Sequence, residues 1–250
     1  MRSVTRIKLG WYPLPPSEGS RLRQLLQFAD EKASVLDPCS GTGAALLQIT
    51  EGANVECHAV ELDAERAQST SEAGINTIHG NIFDVQGKIR SFSLLYLNSP
   101  YDSEVASFDN KRMELLFLQK TFRWLAIGGV LVMVVPHAQL EACTDLLANA
   151  FTSFQVLRLT DPESERFDQV ALLAVRARVR DTDYERNRKQ LIAAIWPKEM
   201  PELTGKETPY LVPSSGPAML EYRGLPLDDL EDRYLVVDVG EGSPIRLPKR

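Results

Sequence analysis

Leu36-Asp37-Pro38-Cys39-Ser40-Gly41-Thr42-Gly43 decides how this 250-residue chain folds. The stretch closes a short apolar run with a carboxylate, bends through two glycines and opens onto a helical pattern at 44–51. Gly41 and Gly43 lack a β-carbon, so the backbone can bend tightly there and a ligand can lie against it. Working outward, apolar runs near 33–38, 55–60, 75–79, 92–97, 130–136, 154–159 and 169–177 alternate with helical patterns near 17–29, 44–51, 64–73, 109–125 and 138–150. That alternation predicts an α/β fold, a mostly parallel seven-stranded sheet with helices on both sides. The runs at 92–97 and 130–136 are apolar on both faces, as central parallel strands are. The last two runs, parted by Asp161-Pro162-Glu163-Ser164, are expected to form an antiparallel pair at one edge.

After Arg180 the character changes. Asp181 to Trp196 reads as one charged amphipathic helix, and eight prolines follow between Pro197 and Pro248. Such a segment can wrap a surface but cannot build a core of its own. The expected organisation is a domain over 1–180, with an N-terminal arm and helix at 1–30, and a proline-rich C-terminal appendage at 181–250.

Composition narrows the function classes. The chain is 44% hydrophobic and 25% charged, which suits one medium domain plus an appendage. No apolar stretch approaches ~20 residues, so no spanning helix is expected, and the first residues carry no apolar signal region. Cys39, Cys57 and Cys143 are odd in number and lack CxxC spacing, which points to reduced thiols in a cytoplasmic protein. His58, His79 and His137 show no ligand spacing, so no metal is expected. The net charge is −6, and neither part of the chain is a basic domain of the kind that nucleic-acid binders usually carry.

Four strand ends carry polar groups suited to a ligand. Asp37 is badly placed for packing and well placed for a cationic group. Glu61, in Val60-Glu61-Leu62-Asp63, has the spacing that puts a carboxylate over a ribose; its bland role is a helix-end acid, but Asp63 already serves as the cap. Gly80-Asn81-Ile82-Phe83-Asp84 follows the third strand, and Asp84 is a reserve acceptor there or a turn cap. Asn98-Ser99-Pro100-Tyr101 ends the fourth strand. An oriented amide there can accept from a planar amine as it becomes tetrahedral, and no strong base is needed.

These motifs, in this order, resemble those of class I S-adenosylmethionine (SAM)-dependent amino-methyltransferases with an Asn-Pro-Pro-Tyr loop, closest to the DNA adenine-N6 group. The likeness covers about residues 10–178. The whole chain also resembles uncharacterised bacterial methyltransferase proteins of the DUF6094 type. The resemblance implies a Rossmann-like class I methyltransferase fold with SAM as cofactor. It implies that Asp37 meets the methionine amino group and Glu61 the ribose. Cys39, Gly41, Gly43 and Leu62 would complete the wall, Asn81 would bind the adenine amine, and Ile82 would pack on its face. The family usually has aspartate where Asn81 stands, so a charge-assisted bond is lost. Tyr12, in Gly10-Trp11-Tyr12-Pro13-Leu14-Pro15-Pro16, would belong to a segment closing over the methionine end, or else to an ordinary arm.

In the catalytic loop the resemblance makes Asn98 and the Ser99 carbonyl the acceptors and Tyr101 the stacking ring. Ser99 replaces the first proline, while Pro100 still biases it toward an extended backbone. Phe167 either clamps a flipped base or anchors the edge strands. Adenine N6 in DNA is the expected target, with an RNA base amine, a protein glutamine amide, or a SAM-binding subunit without activity of its own as alternatives. The acidic appendage is a poor DNA reader, so a protein partner is expected. Deleting the tail should then change turnover more than SAM affinity.

Overall fold

The computed structural model describes residues 12–100 and 112–224, and the backbones of two short strands at 234–237 and 245–248. The first half comprises α1 (Pro16–Gln24), β1 (Leu26–Phe28), β2 (Ala33–Asp37), α2 (Ala44–Ile49), β3 (Val55–Glu61), α3 (Ala64–Glu72), β4 (Asn76–His79), β5 (Val85–Gly87) and β6 (Phe92–Leu97). The second half comprises α4 (Met113–Thr121), β7 (Leu125–Pro136), α5 (Leu140–Ala150), β8 (Phe151–Arg158), α6 (Pro162–Glu165), β9 (Gln169–Arg176) and α7 (Asp181–Ile195). Four short strands follow: β10 (Tyr210–Val212), β11 (Leu220–Tyr222), and the antiparallel pair β12 (Tyr234–Val237) and β13 (Ile245–Pro248).

Seven strands form one sheet in the order β4-β3-β2-β6-β7-β9-β8, parallel except for β9, which runs against both its neighbours. Every residue of β2 and β6 is buried, because helices cover both faces of these central strands. One apolar cluster joins α4, α5 and α7 to the sheet, and a second joins α1 and α2 to the other face. The chain steps outward from β2 to β3 and β4, then returns to lay β6 on the far side of β2. The carboxyl ends of β2 and β6 therefore flank the point where the strand order reverses, which is where open α/β sheets bind ligands.

Two expectations need correction. The helical pattern at 17–29 ends at Gln24, and Leu26–Phe28 instead pair in parallel with β10. Helical periodicity could not reveal this, because the partner strand lies in the tail. The strand read at 130–136 starts at Leu125: Phe92 pairs with Leu125 and Leu94 with Val130, and the offset is absorbed around Gly128 at φ 86. In the helical pattern at 109–125, α4 spans Met113–Thr121, while 109–111 lie outside the described residues.

The segment after Arg180 circles the sheet. α7 buries Leu191 and Ile195 against the α4–α5 face. The chain then reaches the carboxyl edge, where Glu202 bridges Arg158, and passes to the opposite face, where Leu203, Tyr210 and Val212 are buried. The Tyr210 hydroxyl donates to the Ser153 carbonyl at 2.6 Å. At the amino edge the Ser215 Oγ accepts from the Ser34 N–H at 2.7 Å. From there β11 runs back up the first face, antiparallel to β5. Leu191→Ala, at a site with no solvent exposure, should cost about 2–5 kcal/mol of stability. Urea denaturation checks this, and a cost near zero would mean that α7 does not belong to the cooperative unit.

Candidate active site at the sheet switch point

A cleft of about 40 Å³ opens between the ends of β2 and β6. Asp37, Cys39 and Ser40 line it from one side, Asn98 from the other, and Pro13 and Leu14 cover it from the N-terminal segment. The glycine turn below is held from two sides. The Gly41 N–H donates to Glu61 Oε2 at 2.7 Å, and the Thr70 hydroxyl donates to the Gly41 carbonyl at 2.8 Å. Gly41 and Gly43 both have positive φ, 57° and 77°, and a β-carbon on Gly43 would sit 2.7 Å from Ile75 Cδ1. Glycine is required there by backbone conformation and by space alike.

Asp37 is 1% exposed and accepts the Cys39 N–H at 3.0 Å. Burial pushes its carboxyl up to about 7, and the Glu61 charge adds to the effect. Among the described residues, no cation is within reach to offset it. Such a group gains most from an arriving ammonium. Burial, with the Asp37 and Glu61 carboxylates beside it, pushes the Cys39 thiol well above its usual range. Cys39 is therefore a neutral wall rather than a nucleophile.

Asn98 is half-buried, and its Nδ2 donates to the Tyr12 carbonyl at 2.8 Å. That bond orients the amide by fixing which end is nitrogen. The Tyr12 ring meets the Phe167 ring edge-on, with centroids 4.7 Å apart. Phe167 packs on Tyr12 and not in the edge-strand core. Ser99 is 2% exposed with its Oγ buried and unbonded, Pro100 is half-buried, and Tyr101 lies outside the described residues.

Glu18 was not legible as part of this site. Its fully buried carboxylate accepts the N–H groups of Thr160 and Asp161 at 2.7 and 2.6 Å, tying α1 to the turn that carries Phe167. In sequence it is only an acid in a first helical turn, within reach of Arg21, since the two N–H groups it holds are more than a hundred positions away.

The remaining predicted residues lie outside the cleft, at the ends of β3 and β4. The Glu61 carboxylate accepts from Gly41 N, Asp63 N at 2.9 Å, and Arg66 Nε and Nη2 at 3.1 and 2.8 Å. A carboxylate offers about four acceptor sites, so a ribose diol fits only as Arg66 moves aside. Asn81 Oδ1 accepts the Phe83 N–H at 3.1 Å and caps the turn Ile82–Asp84, so the cap here is Asn81 rather than Asp84. Ile82 is 3% exposed and already part of the core, while Leu62 is exposed. Asp63 caps α3 through the Arg66 N–H, as expected.

Asp37→Asn should stabilise the chain, because it removes a buried charge. The folded pKa lies above the ordinary 3.8, so the wild type loses stability as pH rises from about 4 to about 7 and is level above that. The gain in the variant should follow the same course. Thermal melts at several pH values check this; a gain independent of pH would contradict it.

Solved structures with the same fold are methyltransferases of several kinds. A protein from Listeria monocytogenes assigned as a class I SAM-dependent methyltransferase aligns with a TM-score of 0.55 at 15% identity, over 81% of this chain and 65% of its own. This chain thus spans under two thirds of that protein. The tRNA methyltransferase TrmI from Aquifex aeolicus aligns with a TM-score of 0.50 at 15% identity, over 67% of this chain and 71% of its own. A protein from Pyrococcus horikoshii assigned as an RNA methyltransferase aligns with a TM-score of 0.50 at 17% identity, over 69% and 88%. No curated protein matches the sequence. The profile of one family matches residues 1–215, well past the end of the sheet, and the chain belongs to it: the uncharacterised methyltransferase family DUF6094.

Proposed function

We propose that this SAM-dependent methyltransferase acts on a planar amino group, with adenine N6 in DNA as the substrate. The observation that carries the reading is Asn98 at the end of β6, its amide oriented by the Tyr12 carbonyl beside the Asp37 cleft. The cofactor supplies a methyl group activated on a sulfonium sulfur. Asp37, once ionised, holds the methionine amino group, and the Gly41–Gly43 turn and Cys39 shape the wall around it. Glu61 takes the ribose after Arg66 yields, and Leu62, Asn81 and Ile82 border the base.

The Asn98 amide oxygen and the Ser99 carbonyl accept from the amine, drawing its lone pair out of conjugation as the N–C bond forms and the S–C bond breaks. The surplus proton leaves to water. Tyr101 stacks on the flat ring, and the Tyr12–Phe167 pair supplies an aromatic wall beside it. A flipped base costs a few kcal/mol to unstack, and a chain of net charge −6 makes few phosphate contacts. Binding to DNA is then weak, and a protein partner reads the target.

Three measurements test this. Asn98→Ala should abolish methyl transfer and leave S-adenosylhomocysteine affinity within about twofold, while Ser99→Pro should preserve or raise the rate; normal transfer by Asn98→Ala refutes the assignment. Glu61→Ala should weaken S-adenosylhomocysteine by about 1–3 kcal/mol in calorimetry, and should also lower the melting temperature because it frees the Gly41 turn. Digestion and mass spectrometry of DNA, RNA and protein treated with enzyme and labelled cofactor decide the substrate. A methyl group on RNA or on a glutamine amide alone would refute DNA, and none on any pool would leave a SAM-binding subunit.

A further inference from the structure

The end of the circling segment returns to the carboxyl edge beside β4. Strand β11 pairs with β5, Met219 accepts the Lys88 N–H at 3.1 Å, and the Arg223 N–H donates to the Asp84 carbonyl at 2.7 Å. Between these bonds the Tyr222 ring lies against bare backbone. A β-carbon on Gly80 would come 2.6 Å from Tyr222 Cε2, and one on Gly224 would come 2.6 Å from the Tyr222 hydroxyl. Two glycines thus leave a slot that the ring fills. Gly80 is anchored to the sheet by its N–H, which donates to the Glu61 carbonyl at 2.9 Å, and it leads directly into Asn81 and Ile82. Ile82 and the partly buried Tyr222 pack in the same apolar cluster.

We propose that Tyr222 is a positioning residue for the base end of the cofactor, acting through the turn Gly80–Asp84. This rests on the cofactor reading above. In many α/β sheets a crossover helix stiffens the connection between neighbouring strands. Here the connection from β4 to β6 holds one short turn and the three-residue β5, and β11 supplies the missing support from the tail. Deleting the tail should then change cofactor affinity first, where the sequence alone points to turnover. A tail that served the substrate would affect turnover, whereas a tail that holds Asn81 and Ile82 affects cofactor affinity first.

Calorimetry on the full chain tests it with two probes, S-adenosylhomocysteine and adenosine. Tyr222→Ala should raise the Kd of both by the same factor, roughly tenfold, since the loss is at the base end. Tyr222→Phe keeps the ring and should stay within about twofold of wild type, a rescue that a general loss of fold would not give. Gly80→Ala pushes the ring out of its slot, so it should weaken both probes, and the double variant should be no weaker than the worse single one. Unchanged or tighter binding by Tyr222→Ala overturns the proposal, as does strict additivity with Gly80→Ala. A wild-type chain that binds neither probe at millimolar concentration overturns the cofactor reading beneath it.

Discussion

A carboxylate buried at the end of β2, with no cation at hand among the described residues, is the constraint on which the site depends. Asp37 cannot be solvated where it stands, and burial, with the Glu61 charge beside it, pushes its carboxyl up to about 7. A fold selected only for stability would replace it, since an unpaired buried acid opposes folding whenever it ionises. The neighbouring structure keeps it in place. The Cys39 N–H turns toward it, the glycine turn closes beneath it, and Leu14 shields it from water.

Glu61 serves that arrangement differently. Where Asp37 is under-supplied with donors, Glu61 is fully supplied, by a glycine N–H, its own helix entry and a guanidinium. Two acids side by side, one satisfied and one not, divide structure from chemistry: the first holds the loop and the second waits for charge. On the proposed reading, a ribose would have to compete with Arg66 for Glu61, an internal partner already in place.

Two long-range ties set the remainder of the site. Glu18 fastens α1 to the turn before Phe167, so that Tyr12 and Phe167 meet over the end of β6. The segment after Arg180 fastens the opposite end, wrapping both faces before β11 reaches the turn after β4. Its many prolines suit this course. They cannot complete a helix or a central strand, but they let an extended chain follow a surface and pair at isolated edges.

Much of this was legible in the order of residues. The runs at 33–38 and 92–97 could be read because central strands are largely apolar, those at 55–60 and 75–79 because they alternate with helical patterns, and the turn at Gly41 and Gly43 because only glycine adopts that backbone cheaply. The positions of Asp37 and Asn98 at strand ends followed from the same local rules. What the sequence by itself determined was the alternation of strand and helix, and therefore which residues stand at the carboxyl edge. Only the tertiary structure decided which of them meet. The strand at Leu26–Phe28, the tie through Glu18, the saturation of Glu61 by Arg66 and the seat of Tyr222 on Gly80 each depend on a partner far away in the chain. Local pattern records a residue's period and polarity; it carries no trace of a contact formed only after the sheet has closed.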